Sequence, residues 1–330
     1  MRRFELDRSF GAGATQESVF DEVRPLVQSA LDGFDVCVFA HGASGSGKTY
    51  TMIGPPKQRG IAYRALASLM DLVLVFESEL ELQVEATMVE IYNGQVRDLA
   101  AEAEGEGAVV GAGEQPLTLR VRELDDVMNL MTIAGCFRTV GRTLLNERSS
   151  RAHTVLSVSI RATNRLSGEE TVGSLRLVDL AGSELARPVV AADSELEPAG
   201  TADSHLLQAA SPGSQVQQSA ATGSAEENEL RRMEGEHIHE SLGALANVLR
   251  ALLHASPEAD EPTLYSRSAL TRVLGPSLNR DSKLLMIANV SADASDVAQT
   301  LSTLEFASAV KDIKTDAKPR RATRLLAADA

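Results

Sequence analysis

Cysteine is scarce in this chain of 330 residues, which contains only Cys37 and Cys136, both in apolar surroundings. Two thiols of this kind do not form a disulfide framework, so we expect them to be buried and reduced. The first seven residues also lack the apolar core that a secretory signal peptide requires. Both absences predict a location in the cytoplasm.

The sequence also lacks the features that indicate a membrane or a nucleic-acid partner. Its longest candidate for a membrane span, residues 61–76, is interrupted by Arg64 and Asp71, whereas a spanning helix needs about 20 mostly apolar residues. Acidic residues predominate, because 46 Asp and Glu against 32 Lys and Arg give a formal net charge of −14. Nucleic acids bind basic surfaces, so we expect neither a membrane nor a nucleic acid as a partner.

Hydrophobic residues, at 43% of the chain, are arranged in alternating strand-like and helix-like segments. Short runs rich in β-branched residues predict strands, and apolar residues at helical spacing predict helices. The predicted strands are residues 36–40, 80–92, 117–121, 153–163, 172–180 and 283–290, the last of them buried. The predicted helices are residues 61–75, 125–134 with Asp125 as its N-cap, 229–254 and 296–311. This mixture predicts an α/β fold.

One segment differs from the rest in composition. Residues 187–229 are rich in Ala, Ser, Gln, Gly and acidic residues and contain few branched apolar side chains. Such a stretch buries too little apolar surface to offset the entropy lost on ordering. We therefore expect a disordered insertion within a single domain of residues 1–330, which ends in a short tail at residues 315–330.

The most specific motif lies directly after the strand predicted at residues 36–40, where residues 42–49 read GASGSGKT. This is the spacing G-x-x-x-x-G-K-[ST] of a phosphate-binding loop. Glycines let the backbone curl so that successive N–H groups point at phosphates, while Lys48 reaches the β- and γ-phosphates and the Thr49 hydroxyl binds Mg²⁺. A following helix adds its positive end to the same site. The alternative interpretation is a Gly/Ser turn with a surface lysine.

Two further motifs supply groups that a nucleotide-hydrolysing site needs. Residues 146–153 read NERSSRAH and precede a predicted strand, whereas residues 179–184 read DLAGSE and follow one. An acidic residue at the end of a strand holds the Mg²⁺ shell, and Asp179 fits this role. The Gly182 N–H and the hydroxyls of Ser149 and Ser150 are suitable sensors of the γ-phosphate. No N-K-x-D stretch for reading guanine is present, so guanine specificity is not supported.

The three motifs, in this order, and further stretches at residues 16–31, 89–99, 241–245 and 300–313 resemble a kinesin motor domain. The similarity covers nearly the whole chain outside the insertion. It implies the kinesin motor fold, a P-loop NTPase three-layer sandwich with a mixed central β-sheet flanked by helices. It also implies a microtubule-stimulated ATPase of the cytoskeleton, which uses ATP and Mg²⁺ and takes part in microtubule-based movement.

The resemblance also implies roles for individual residues. Arg151 and Glu184 would form a salt bridge that closes when ATP is bound, and Tyr50 would stack on adenine. Thr49 would bind Mg²⁺ directly, with Ser150 and Asp179 in the metal shell. The implied nucleotide-binding residues are Gly42, Ala43, Ser44, Gly45, Ser46, Gly47, Lys48, Thr49 and Tyr50, and the implied catalytic residues are Ser149, Ser150, Arg151, Asp179, Gly182 and Glu184. The alternatives are a turn role for Ser149 and an ordinary surface ion pair for Arg151 and Glu184.

Four departures from the family pattern predict weakened function. The family's first strand is missing, so we expect an N-terminally incomplete domain with reduced nucleotide affinity. In the helix that faces the microtubule, Glu240 stands where the family has a cation, and its charge opposes binding to the acidic tubulin surface. Ala269 stands where the family has a lysine, and the insertion at residues 187–229 lies in a loop that normally contacts the track.

These departures leave two functions open. One is a kinesin-type motor that hydrolyses ATP and binds microtubules weakly. The other is a non-motile, kinesin-like nucleotide-binding protein with a regulatory or scaffold role, and an unrelated P-loop NTPase is a remote third. No coiled-coil heptads are present, so oligomerisation is not encoded in this chain. The end of the chain soon after the last predicted helix resembles kinesins with a C-terminal motor.

Overall fold

A mixed eight-stranded sheet forms the centre of the computed structural model, which describes residues 2–105, 109–111, 114–139, 150–185, 225–254 and 262–323. Its strands are β1 (Asp35–His41), β2 (Leu80–Tyr92), β3 (Gln95–Asp98), β4 (Leu119–Val121), β5 (His153–Asn164), β6 (Glu169–Asp179), β7 (Ser282–Ala288) and β8 (Arg321–Thr323). The strand order is β3-β2-β5-β6-β1-β7, with β4 paired to β2 and β8 to β6. β1 is parallel to β6 and β7, and the other pairs are antiparallel.

Helices cover both faces of this sheet. They are α1 (Gln16–Leu31), α2 (Lys48–Met52), α3 (Ile61–Val75), α4 (Leu99–Ala103), α5 (Leu124–Thr139), α6 (Ala225–Leu253), α7 (Pro262–Tyr265), α8 (Ala269–Leu274) and α9 (Val297–Lys311). None of these, in the part of the chain that the structure describes, is long and apolar enough to cross a membrane. The three-layer arrangement of helices, mixed sheet and helices agrees with the predicted fold.

β1 shows how the two apolar layers arise. All seven of its residues are buried, and successive side chains of a strand point to opposite faces. Val36 and Val38 therefore join a core with α1, α3 and α5, whereas Cys37 and Phe39 join a second core with α6, α8 and α9. Cys37 is buried and forms no disulfide, as expected, and burial raises the pKa of its thiol to about 12. The side chain of Cys136 lies outside the described residues.

Several boundaries agree with the sequence predictions, but the start of α5 does not. α3 and β2 have the predicted bounds. α5 begins at Leu124, so Asp125 lies inside its first turn and is not the N-cap. Asp126, also in the first turn, reaches back along the chain, where its carboxylate accepts hydrogen bonds from the backbone N–H groups of Arg122 (2.7 Å) and Glu123 (3.2 Å).

Parts of the predicted insertion and of the predicted tail belong to regular elements of the structure. α6 begins at Ala225, so residues 225–229 are helical, and residues 187–224 lie outside the described residues. Within the predicted tail, Arg321–Thr323 form β8 along β6. Arg320 holds this segment in place, because its N–H donates to the Gly33 carbonyl at 2.8 Å and its guanidinium pairs with Asp35 at 2.6 Å.

The prediction that residues 283–290 form a buried strand was wrong about burial. β7 forms at Ser282–Ala288, but only Ser282 is buried and the other six residues are partly exposed. The reason is the position of β7, which ends the strand order of the described residues and pairs only with β1. The composition of a strand shows how apolar it is but does not show how many strands pair with it.

Candidate nucleotide-binding site

The glycine-rich loop connects the buried end of β1 to the first residue of α2. Gly45 and Gly47 have φ values of +78° and +100°, a region in which residues with a Cβ are strained. A Cβ on Gly42 would lie 2.1 Å from the carbonyl oxygen of Asn289 and 2.7 Å from Ser46 Oγ. The path of the loop therefore requires glycine at these positions, as the phosphate-binding pattern predicts.

Lys48 points into the curve of this loop. Its side-chain ammonium donates hydrogen bonds to the carbonyl oxygens of Gly42 (2.8 Å) and Ala43 (2.9 Å). Burial lowers the pKa of Lys48, and the nearby charges of Asp179 and Glu184 oppose that shift. A buried cation that is held by carbonyl groups and attracted by two carboxylates is placed to bind a polyanion.

Thr49 and Asp179 meet although they are 130 residues apart, and Thr49 Oγ1 donates to Asp179 Oδ2 at 2.6 Å. The sheet brings them together, because β1 and β6 are adjacent parallel strands in which Ala40 is paired with Asp179. A hydroxyl and a carboxylate are oxygen ligands of the kind that Mg²⁺ takes together with substrate phosphates and water. The described residues contain no group of three or more His, Cys, Asp or Glu side chains suited to a metal, so the Mg²⁺ candidate is this sparse oxygen pair.

Ser46 supplies a second observation that points to a ligand at this loop. Its Oγ is buried and has no hydrogen-bond partner among the described residues. Buried hydroxyls are nearly always hydrogen-bonded in proteins, so this hydroxyl is a candidate contact for a phosphate oxygen. Thr49, Asp179 and Ser46 together fit the Mg²⁺–nucleotide group that the sequence predicts.

The DLAGSE segment contacts the glycine-rich loop closely. The carboxylate of Glu184 accepts hydrogen bonds from the backbone N–H of Ser44 (2.9 Å) and from its hydroxyl (2.5 Å). The N–H of Ser183 donates to the Gly42 carbonyl at 3.0 Å, and the N–H of Gly182 donates to the Ser150 carbonyl at 2.8 Å. The Gly182 N–H that was predicted to sense the γ-phosphate therefore joins the residue-150 segment to DLAGSE in this structure.

The salt bridge between Arg151 and Glu184, which the resemblance implies for the ATP-bound state, stays a prediction, because the two side chains have other partners in this structure. Arg151 instead donates to Glu234 on α6 at 2.5 Å, and Glu234 also accepts a hydrogen bond from the hydroxyl of Tyr92. Burial of Tyr92, followed by its hydrogen bond to Glu234, raises the pKa of that hydroxyl. In this structure Glu184 is bonded to Ser44, and Arg151 is bonded to a carboxylate of α6 whose side chain is 6% exposed.

His153 is a buried residue of this region for which the sequence reading gave no role. Its Nδ1 accepts a hydrogen bond from the N–H of Ala181 at 3.0 Å, and its Nε2 lies 2.7 Å from Ser241 Oγ. Because Nδ1 accepts, the proton lies on Nε2, which donates to Ser241, and Ser241 donates to the Ile238 carbonyl at 2.9 Å. Burial, with a smaller contribution from the charge of Lys48, lowers the pKa of His153 to about 3.

This chain of hydrogen bonds joins DLAGSE to α6 through a neutral imidazole. The only sequence signal for it was the last letter of NERSSRAH, which opens β5. That position says nothing about which helix packs over the ring.

Two predicted residues contribute less to the described geometry. Tyr50 lies on α2 with 47% of its surface exposed, and its hydroxyl donates to Gln58 at 3.1 Å. This exposed aromatic face beside the loop is compatible with stacking on a base. Ser149 lies outside the described residues, as do residues 140–148.

Comparison with known protein families and proteins places this site in a known context. The Kinesin motor domain family matches residues 1–206 and 214–313. Among curated proteins, Kinesin-like protein KIN-14K of Arabidopsis thaliana is 38% identical over 318 residues, which are 95% of this chain and 28% of that protein. Kinesin-like protein KIN-14C of Oryza sativa subsp. japonica is 37% identical over 325 residues, which are 95% of this chain and 29% of that protein. The chain thus spans less than a third of the length of these relatives.

Solved structures show the same similarity in three dimensions. A structure described as a fast kinesin has a TM-score of 0.72 and 30% identity, and covers 99% of this chain and 84% of its own. The motor domain of the Kar3-like kinesin from Ashbya gossypii has a TM-score of 0.66 and 29% identity, and covers 93% of this chain and 84% of its own.

Proposed function

Because this chain belongs to the kinesin motor domain family, we propose that it binds ATP with Mg²⁺ and hydrolyses it as part of microtubule-based movement. The observation that carries the proposal is the 2.6 Å contact between Thr49 and Asp179. It brings the end of GASGSGKT and the start of DLAGSE to one point, beside the buried ammonium of Lys48.

The position of each residue in the site determines its role in binding the nucleotide. The loop amides and Lys48 bind the phosphates, Ser46 supplies a free hydroxyl, and Thr49 with Asp179 would hold Mg²⁺, which neutralises charge on the phosphates. Gly182, Ser150 and Glu184 contact one another or the loop, so a γ-phosphate entering there would displace their present contacts. Such displacement is how a nucleotide biases a two-state segment.

The route from this site to the track runs through α6. Arg151 holds Glu234, and His153 holds Ser241, so two residues of the segment that opens β5 are bonded to the same helix. The exposed carboxylate of Glu240 precedes Ser241 on α6. Glu240, Arg267 and Arg272 line one surface cavity, whose volume is about 180 Å³. We propose that this mixed charge weakens binding to the acidic microtubule surface without abolishing it.

A non-motile nucleotide-binding protein with a regulatory or scaffold role is the second candidate. The observation that favours it is the charge of this face, where Glu240 and Ala269 stand at positions at which the sequence comparison expects cations. The nucleotide loop is intact in both candidates, so the two differ only in whether the microtubule is bound.

Co-pelleting with microtubules separates these two functions. We expect more protein in the pellet with a non-hydrolysable ATP analogue than with ADP, and an ATPase rate that rises with tubulin concentration. Glu240→Lys is expected to tighten co-pelleting, with Glu77→Lys, exposed in the turn after α3 on the opposite face of the sheet, as the matched charge control. Failure to pellet with either nucleotide, while ATP is still bound, would exclude the motor and leave the second candidate.

A further inference from the structure

A surface cavity opens between α6, α8 and the turn that joins β2 to β3. Its volume is about 180 Å³, and none of residues 42–49 or 179–184 lines it. This volume equals that of about six water molecules, at roughly 30 Å³ each in the liquid, whereas pockets for drug-sized ligands measure roughly 300–1,000 Å³. The cavity is therefore separate from the glycine-rich loop and accepts only a small ligand.

The inner lining of the cavity is apolar. Ile91 on β2, Ile238 on α6 and Ala269 on α8 line it, and their exposed fractions are 3%, 3% and 6%. All three belong to the core that contains Cys37 and Phe39. Ala269 contributes only a methyl group, so a longer side chain at this position would enter the cavity. A ligand with a short carbon chain gains apolar contact at this lining.

One wall of the cavity is the turn between β2 and β3. Asn93 and Gly94 have φ values of +51° and +76°, and they connect the paired residues Tyr92 and Gln95. Two left-handed residues at this point are typical of a type I′ hairpin turn, for which Asn-Gly is a favoured sequence. Asn93 lines the cavity, and its Oδ1 is buried and accepts no hydrogen bond from the described residues. Buried side-chain oxygens nearly always have a partner, so Asn93 is a candidate acceptor for a ligand.

Opposite charges line the cavity without pairing with one another. The side chain of Glu240 on α6 is 64% exposed, and its carboxylate lies 3.7 Å from Nδ1 of His237. Arg267 directly precedes Ser268, the N-cap of α8, and Arg272 lies in the last turn of that helix. Both arginines are exposed, and neither guanidinium forms an ion pair or a hydrogen bond within the described chain.

The charges of the lining determine which ligand complements it. The third arginine of the lining, Arg151, is already bonded to Glu234, so two guanidinium groups and one carboxylate share the cavity without neutralising one another. A phosphomonoester carries about −1.5 to −2 charges at neutral pH, and guanidinium groups bind phosphate oxygens through paired N–H groups. An ammonium group has three donors and no acceptor, which suits a carboxylate and an amide oxygen.

We propose that this cavity binds a small phosphorylated primary amine. Arg267 and Arg272 hold its phosphate, and its ammonium donates hydrogen bonds to Glu240 and to Oδ1 of Asn93. The short carbon chain between the two charged groups lies on the apolar inner lining.

Simpler or larger ligands complement the lining less well. An anion without an amine brings no ammonium donor to Asn93 and is repelled by Glu240. An amine without a phosphate leaves both guanidinium groups without an anion. A nucleotide, with its base, sugar and phosphates, requires a pocket of the larger class.

The test measures the binding of phosphoethanolamine to the whole 330-residue chain by isothermal titration calorimetry at neutral pH. The matched control ligands are ethyl phosphate, which lacks the ammonium group, and ethanolamine, which lacks the phosphate. We expect saturable binding of phosphoethanolamine and roughly tenfold or more weaker binding of either control, because each control loses charge-assisted hydrogen bonds. Equal binding of phosphoethanolamine and ethyl phosphate, or no binding of phosphoethanolamine, would overturn the proposal.

Lys48→Ala separates this cavity from the glycine-rich loop, which is also expected to bind phosphates. Phosphoethanolamine should bind this variant as it binds the unmodified chain, and this result does not depend on the proposed ATPase activity. Loss of binding in Lys48→Ala would assign the phosphate to the loop and would contradict the proposed cavity site.

Variants of the lining assign each part of the ligand to its contact. Glu240→Gln should remove most of the preference for phosphoethanolamine over ethyl phosphate, whereas Arg272→Gln should weaken the binding of both. Arg120→Gln, at an exposed position of β4 that does not line the cavity, is the matched control. Unchanged binding in Arg272→Gln, or an unchanged preference in Glu240→Gln, would contradict the proposed contacts.

Ala269→Leu tests the inner lining without removing a charge. The larger side chain enters the cavity, so we expect weaker binding of phosphoethanolamine than in the unmodified chain. If this variant does not fold, the substitutions at the exposed positions Glu240 and Arg272 still decide. Full binding by a folded Ala269→Leu variant would show that the ligand lies elsewhere.

Discussion

The glycine-rich loop and the DLAGSE segment are in contact, but the local sequence determines their side-chain contacts to different degrees. In the loop, the contacts of Lys48 and Thr49 follow from a short local pattern that leaves the backbone little choice. In DLAGSE and the segment that opens β5, the charged groups bond to residues far away in the sequence, Arg151 to Glu234 and Glu184 to Ser44, so a local pattern does not fix their partners. The difference separates a fixed binding site from contacts that can be exchanged.

The largest effect is expected in the glycine-rich loop. Lys48→Ala removes the buried cation, and loss of two or more charge-assisted hydrogen bonds weakens binding by roughly 100-fold or more. Titration with a fluorescent ATP analogue measures this, with the exposed Lys57→Ala as the matched control. Retained affinity in Lys48→Ala would show that the nucleotide does not bind in this loop.

A smaller effect is expected where the two regions touch. A Cβ on Gly182 would lie 2.3 Å from Ser44 Oγ and 2.4 Å from the Glu184 carboxylate. Gly182→Ala should therefore separate DLAGSE from the loop and lower the ATPase rate by about 10- to 100-fold, because catalytic groups lose their positions, while nucleotide affinity changes little.

The control for this variant is Gly243→Ala in α6, since a Cβ there meets no atom within 4 Å. Steady-state ATPase assays compare the two variants. A normal rate in Gly182→Ala would indicate that contact between DLAGSE and the loop is not needed for hydrolysis.

We expect the more buried of two ion pairs on α6 to contribute more to the free energy of unfolding. Glu234→Gln removes a carboxylate whose side chain is 6% exposed and is bonded to Arg151, and we expect a loss of about 1–3 kcal/mol in the free energy of unfolding. Glu229→Gln on the same helix breaks a pair with Arg232 in which both side chains are more than half exposed, and such surface pairs contribute little. Urea unfolding should distinguish the two variants, and equal losses would contradict a special role for Glu234.

The last comparison concerns pH. In the folded protein the pKa of His153 is about 3, against an ordinary value of 6.5, so between these values the unfolded chain binds a proton that the folded chain does not. The contribution of His153 is complete above pH 6.5 and declines as pH falls towards 3, at up to about 1.4 kcal/mol per pH unit.

His153→Gln does not take up a proton in this range, so its free energy of unfolding should fall less steeply between pH 6.5 and pH 4 than that of the unmodified chain. Burial lowers the pKa of His41 to about 4. This residue is present in both proteins and therefore contributes to both pH profiles. Parallel pH profiles would show that His153 is protonated in the folded state.

Sequence reasoning succeeded where the chain itself determines the geometry. The bounds of α3 and β2 follow from hydrophobic periodicity, and the tight path of the GASGSGKT loop follows from its glycines. It failed where tertiary neighbours decide. The burial of β7 depends on how many strands pair with it, which its composition does not show. The pairing of Arg151 with Glu184 concerns the ATP-bound state and stays a prediction. The role of His153 required both ring nitrogens to find partners on different elements, which no spacing encodes.

β1 has a mechanical consequence for a protein of this family. All of its residues are buried, and parallel strands are bonded to it on both sides, with the glycine-rich loop attached directly to its end. A force directed along β1 therefore acts in shear on the hydrogen bonds to both neighbouring strands. These bonds share the load and cannot be broken one after another. The loop is attached to a strand that is hydrogen-bonded on both sides, so we expect a rearrangement around a phosphate to displace α6 while the loop keeps its place.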